Sequence, residues 1–260
     1  RAQGCALYKA LRLKCLTRSD FKSFYTLTGQ GNSIGPTSKL YETEDKFSKK
    51  KKALCLRTDI KDGPQLESMM ANSLEILEEL SLTPVYRQIV AQDNYTCFVF
   101  LREKGIILTE KIKKYGRLLE YRAKTLLFKL FSKLKKLEKE YSLWPTTLSI
   151  PQYWVEAEKE AELKCMNPFV FTGTKFSPSL NLEIALFLGQ MLLGEVVDTC
   201  GRGLYPEKVR STVESIFDEI KQSASPKALA LLEKLKSPLG SFTSFEQILQ
   251  DDWFDTDESP

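Results

Sequence analysis

Between residues 182 and 197 the apolar positions are Leu182, Ala185, Leu186, Leu188, Gly189, Leu192, Leu193, Val196 and Val197. At about 3.6 residues per turn this spacing runs almost all the way round a helix, with Glu183 and Glu195 near the ends. A helix apolar on every side has to be buried on every side. The stretch is therefore predicted to be the central helix of an α-rich unit. It falls short of the roughly 18 to 20 apolar residues that crossing a bilayer requires.

The hydrophobic period changes along the chain. Residues 24–45 read as two β runs around the glycine loop GQGNSIG, followed by the lysine-rich KFSKKKK and a third strand at 53–59. Pro64 opens a helix over 65–80, apolar at Leu66, Met69, Met70, Leu74, Leu77 and Leu80. Two further strands, 85–92 and 95–103, are joined by a turn at Asp93-Asn94. Beyond Ile107 the pattern is mainly helical. A short helix closes at Gly116, and a long one over 117–141 carries Leu119, Arg122, Leu126, Leu130, Leu134 and Leu137 on one stripe. Residues 152–166 read as a hairpin turning at Glu158-Lys159-Glu160, and 206–220 and 225–235 as amphipathic helices. Residues 5–18 signal weakly for a basic amphipathic turn or helix, and the acidic end 255–260 reads as disordered.

Composition narrows the chemistry. Of 260 residues, 42% are hydrophobic and 28% charged, which is ordinary for a globular protein. The net charge of +4 is too mild to imply nucleic acid. No histidine occurs, which excludes His triads, His general bases and His-containing zinc sites. Six cysteines are scattered without a CxxC pair, pointing to reduced thiols and a cytoplasmic setting. The opening residues are too often interrupted by charge for a signal peptide, and Arg1 reads as a start within a longer or processed chain. Asn94-Tyr95-Thr96 matches a glycosylation sequon, a triplet that also arises by chance.

The order of three strands, a helix, two strands and a helical half resembles eukaryotic protein kinases. The central helix is similar to that family's D-x-W-S-L-G-x-x-L-x-x-L-L-x-G helix. Leu188-Gly189 match its Leu-Gly, and Glu183 or Ile184 falls where the family keeps its anchoring Asp. Glu246, Leu249, Trp253 and Phe254 match the terminal E-x-L-x-H-x-W-F pattern, and residues 101–105 resemble the hinge between lobes. The resemblance covers about residues 21–254. It implies a bilobal α+β fold: an extension 1–20, a small β-rich N-lobe 21–103, a larger mainly α-helical C-lobe 104–254, and the tail. An unrelated α+β domain with a helical C-terminal half is the alternative.

Under that resemblance the phosphotransfer groups are missing. A kinase needs a Lys on the third strand paired with a helix Glu, a catalytic Asp, and metal ligands that include the Asp of D-F-G. In the loop motif G-x-G-x-x-G, Gly29 and Gly31 fit, but Ile34 takes the third position. Arg57, or Cys55 in a shifted register, stands at the Lys, and Ser73 at its partner Glu. Phe100 takes the gatekeeper position, and Asn167-Pro168-Phe169 replaces D-F-G. Residues 148–154 occupy the H-R-D region, and no Asp occurs from 94 to 197. The glutamates 156, 158, 160 and 162 read as the solvated face of the hairpin. Ser177-Pro178-Ser179 stands for A-P-E, and the stretch after Phe169 is too short for a peptide-docking platform.

The expected function is that of a pseudokinase: no catalysis, no metal, no cofactor, and a role as scaffold or allosteric partner. An atypical kinase or nucleotide-binding switch is one alternative. A basic module binding an acidic filament, a membrane or nucleic acid is another. The expected partner is another protein, within a cytoskeletal or other larger assembly. No membrane span is expected, and nucleic acid is not favoured. Lys129, Lys133 and Lys136 share one helix face, widened by Lys135 and Lys139, and form the candidate docking ridge.

Overall fold

A computed structural model of the chain describes residues 16–17, 21–35, 37–46, 52–58, 73–91, 95–101, 105–156, 162–197, 206–237 and 242–255. The fold is mixed α and β and divides into two compact units. The first is Arg1–Gly105 with Cys165–Pro168, and the second Ile106–Lys164 with Phe169–Pro260.

The first unit is built on a six-stranded sheet in the order β1-β5-β6-β4-β3-β2. Its strands are β1 (Leu16–Thr17), β2 (Tyr25–Gly35), β3 (Ser38–Asp45), β4 (Lys52–Thr58), β5 (Tyr86–Ala91) and β6 (Thr96–Leu101). β1 runs parallel to β5, and the other pairings are antiparallel. Residues 96 to 100 of β6 are all buried, because both sides of this inner strand are covered. Cys97 and Val99 join a cluster with Phe21, Tyr25 and Val90. Phe98 and Phe100 meet the Tyr86 ring at 5.2 and 6.0 Å. Helix α1 (Leu74–Glu79) lies between β4 and β5 in sequence, and its Glu78 accepts a bond from the Tyr86 N–H at 3.2 Å. Leu74, Leu77 and Leu80 are buried; the earlier part of the expected helix, 65–72, lies outside the described residues.

Two expectations change here. Leu16–Thr17, expected in an amphipathic turn or helix, pairs as a strand with Ile89 and Val90. The segment GQGNSIG is not an open loop. β2 runs through it with a bulge between Thr28 and Asn32, and the hairpin turns later, where Gly35 faces Ser38. A bulge absorbs extra residues while keeping the strand paired.

In the second part of the chain, β7 (Gly105–Ile107), β8 (Tyr153–Glu156) and β9 (Leu163–Cys165) make a three-stranded sheet. The expected hairpin tip, 157–161, lies outside the described residues. The helices are α2 (Leu108–Tyr115), α3 (Glu120–Tyr141), α4 (Ser179–Leu193), α5 (Pro206–Ile220), α6 (Pro226–Lys236) and α7 (Phe245–Leu249). α4 is the central helix. It begins before Leu182 and stops at Gly194, whose left-handed φ of 84° ends the helix earlier than the apolar pattern does. A Cβ on Gly194 would overlap the backbone nitrogen of Arg117, so that chain can approach only a glycine. Every residue of α4 from Ile184 to Leu192 is buried, with Leu188 at 0% exposure.

On α3 the buried face consists of Ala123, Leu126, Leu127, Leu130, Phe131, Leu134 and Leu137. Leu119 and Arg122 do not join it. Leu119 precedes the helix in extended backbone, φ −60° and ψ 137°, and both side chains are exposed. Glu120 turns inward instead. Its carboxylate accepts from the Trp253 indole at 2.8 Å, the Ser225 N–H at 2.9 Å and the Ser225 hydroxyl at 2.5 Å. That single carboxylate ties the start of α3 to the N-terminus of α6 and to the buried aromatic end of the chain.

Leu188→Ala should destabilise the chain by about 2 to 5 kcal/mol, as removal of a fully buried Leu side chain does. Urea unfolding followed by circular dichroism measures it, and a change near zero would mean that α4 is not the core.

Candidate functional site

The residues at the expected nucleotide positions all belong to the first unit. Gly29 has φ 85°, a left-handed backbone required by the β2 bulge, and its open side meets nothing within 4 Å. Gly31 lies against the Tyr41 ring, which occupies the space a Cβ would need. Ile34, at the third glycine position, is buried at 2% exposure, as is Ser38 on the return strand.

The hairpin end meets the segment at Asn167 that was expected in place of D-F-G. Cys165 donates its N–H to the Leu82 carbonyl at 2.7 Å, and the Tyr86 hydroxyl donates to the Met166 carbonyl at 2.9 Å. The Asn167 amide reaches the Ser38 hydroxyl at 3.5 Å, the outer limit of a hydrogen bond. The expected metal position thus meets the start of β3. Beside them, burial pushes the Cys165 thiol up to about 12, so it remains protonated and unreactive.

The other candidates are placed by register. Arg57 stands opposite Lys39 on β3 and Cys97 on β6, and Cys55 opposite Tyr41 and Val99. Phe100 faces Leu54 and Tyr86 across its two pairings and is buried. Ser73 is the N-cap residue of α1, without a side-chain capping bond. The structure therefore brings Asn167 to the β2–β3 hairpin, while Arg57 and Cys55 sit inside the sheet. Residues 102–104 of the expected hinge lie outside the described residues.

In the second unit α4 carries a polar arrangement that its apolar pattern conceals. The Glu183 carboxylate accepts from the Leu148 N–H at 2.6 Å and from the Thr147 side chain. Asn181 is 1% exposed; it donates to the Phe242 carbonyl at 3.0 Å and accepts from the Phe242 N–H at 3.2 Å. Gln190 is buried too, and accepts from the Val197 N–H at 3.1 Å. Each buried polar side chain satisfies the backbone of a different segment. Without those partners, burial would be costly. Sequence reasoning missed Asn181 and Gln190, which read only as polar interruptions in an apolar stretch.

The lysine ridge is largely met from within the chain. Lys133, partly buried, pairs with Glu162 at 2.6 Å, so Glu162 is not simply part of a solvated face. Lys135 and Lys139 share Glu246 at 3.0 and 2.8 Å, holding its carboxyl below the usual range chiefly through hydrogen bonds from Lys139 and Lys135. Lys136 faces Glu140 at 3.9 Å, and Lys129 is partly buried. Exposed pairs of this kind add little stability. Their effect is to cancel the ridge's field. Lys133→Glu would also set two carboxylates side by side, so it probes folding as much as binding.

No helix among the described residues is long and apolar enough to cross a membrane. No protein-family model matches the chain, and no curated protein does.

Burial raises the Glu183 pKa, with the hydrogen bonds from Leu148 and Thr147 opposing it. A carboxyl raised in the folded state binds its proton before the unfolded chain does. Stability from this group is therefore fully present below the ordinary Glu value of about 4.3, and is lost as pH rises through the raised value. Glu183→Gln keeps an acceptor for the Leu148 N–H and should flatten that fall in stability without unfolding the chain. Glu183→Ala leaves the N–H unpaired and should cost about 1 to 3 kcal/mol. Urea melts across the acidic range test this, and a Gln variant as unstable as the Ala variant would contradict it.

Proposed function

We propose that the chain is a kinase-like domain without phosphotransfer chemistry, which acts by binding another protein as a scaffold or allosteric partner. The observation that carries this reading is the Glu183–Leu148 bond. Under the kinase resemblance the family's anchoring Asp falls at Glu183 or the adjacent Ile184, and the Glu183 carboxylate holds the N–H at the start of residues 148–154, the stretch that the same resemblance aligns with H-R-D. An anchor is present where a catalytic loop would need one, yet that region contains no Asp and no His.

Further support comes from the first unit. Three strands, a helix and two strands follow one another in the kinase order. Under the resemblance Ile34 takes the third glycine position and Asn167 that of the metal-binding Asp, neutral groups of which the second supplies no charge to hold Mg²⁺, while Arg57 alone keeps a cation at the position of the Lys. Loss of both aspartates removes the general base and the metal ligand together. What remains to act is surface, hence the assignment to protein binding.

Mg-ATP should leave the melting temperature of the chain unchanged, and radiolabelled ATP should give no phosphotransfer to a generic substrate. A rise in melting temperature with Mg-ATP, absent with ATP plus chelator, would favour the nucleotide-switch reading instead.

A further inference from the structure

One surface of the second unit is both cationic and apolar. From Lys113 to Arg122 every residue is exposed except Leu118 and Glu120. Those two fix the corner between α2 and α3 to the body of the unit. Leu118 is buried and donates its N–H to the Met191 carbonyl at 2.8 Å, and Glu120 is bonded to Trp253 and Ser225. The exposed apolar groups are Tyr115 at 66%, Leu119 at 56%, Tyr121 at 60% and, further along α3, Phe128 at 45%. The exposed cations among them are Lys113, Lys114, Arg117 and Arg122.

The charge on this corner is unbalanced. From residue 111 to 128 the only acid is Glu120, whose carboxylate is turned inward. Lys111 lies close enough to Arg122 for the guanidinium to depress its pKa, after the larger effect of burial. Two cations from different helices thus lie near each other, and among the described residues no carboxylate pairs with either. The flanking acids are Glu110, one turn before Lys113 and Lys114 on α2, Glu195, next to the Gly194 that meets Arg117, and Asp255, whose carbonyl accepts from Lys124 at 3.0 Å; against them stand Lys111, Lys113, Lys114, Arg117, Arg122 and Lys124.

We infer that the α2–α3 corner is a peripheral docking site for an anionic membrane surface, with Leu119 and the neighbouring rings entering the headgroup layer and the cations pairing with acidic lipid headgroups. A run exposed along nearly its whole length forms a projecting corner, not the groove that a partner helix or strand occupies. Nucleic acid fits less well, because binding to single strands relies on open aromatic faces. Here Lys114 already lies over the Tyr115 ring at 4.9 Å and Arg122 over the Tyr121 ring at 5.8 Å. Phe128 packs against Phe254 at 6.1 Å, and Leu119 has no face to stack. Amphipathic rings, a protruding aliphatic and several cations suit an acidic lipid interface. This inference stands apart from the kinase-like reading.

The test uses the whole chain with vesicles of phosphatidylcholine, with and without phosphatidylserine, in co-sedimentation. Binding is expected only with phosphatidylserine and should weaken as salt rises. The double variant Lys114→Glu, Arg117→Glu should lower vesicle partitioning by more than about tenfold. Leu119→Ser should weaken it separately, and Lys208→Glu, an exposed reversal on α5, should leave it unchanged. Melting curves check that each variant folds. Absence of binding to phosphatidylserine vesicles by the folded chain overturns the proposal. So does an equal loss with Lys208→Glu, which would mean net charge alone. Undiminished binding by Leu119→Ser, or capture of single-stranded DNA or an acidic peptide in place of vesicles, overturns it as well.

Discussion

A helix apolar on all sides can be stable only inside a shell, and that shell has to satisfy whatever polar groups the helix carries inward. α4 sets this condition for the second unit. Its Leu and Ile side chains supply the burial, while Asn181, Glu183 and Gln190 each require backbone partners from outside the helix. The surrounding segments are therefore held at fixed points on α4: Phe242 near its start, Leu148 one turn on, Val197 and the loop at Leu118 near its end. Buried polar contacts of this kind position loops more sharply than apolar contact does, because their geometry is directional. The candidate anchor and the exposed corner are both consequences of that one helix.

The first unit follows a different logic. Its inner strand β6 is covered on both sides, which leaves the hairpin β2–β3 at the sheet's edge as the part free to be shaped by special residues. The glycines there serve the bulge and the Tyr41 ring, and the hairpin end is drawn toward Asn167. A phosphate-binding loop needs backbone N–H groups pointing into open space. Here Asn32 and Ser33 are paired with Leu40 and Lys39 of β3 instead.

The helices were legible because a 3.6-residue period reports directly on which side is buried, and α5 begins and ends where its pattern does. Strands β5 and β6 were legible as short runs of β-branched and aromatic residues on either side of a turn. What the sequence concealed depended on partners distant in the chain. The inward turn of Glu120 needs Ser225 and Trp253, and the neutralised ridge needs Glu162 and Glu246. Leu119 misled because it continues the α3 stripe in sequence, although the helix starts one residue later. The glycine segment misled because turn composition and bulge composition are alike; only the register with β3 separates them.

The central claim is that α4 pins the segments around it, including the one that starts at Leu148. Native-state hydrogen exchange resolved to single amides tests this most directly, since it reads the free energy of opening site by site. The account expects the Leu148, Phe242 and Leu118 N–H groups to exchange as slowly as the amides in the middle of α4, through opening of the whole unit. Rapid exchange at Leu148 and Phe242 while α4 stays protected would contradict it, and the Glu183 bond could then no longer be read as an anchor.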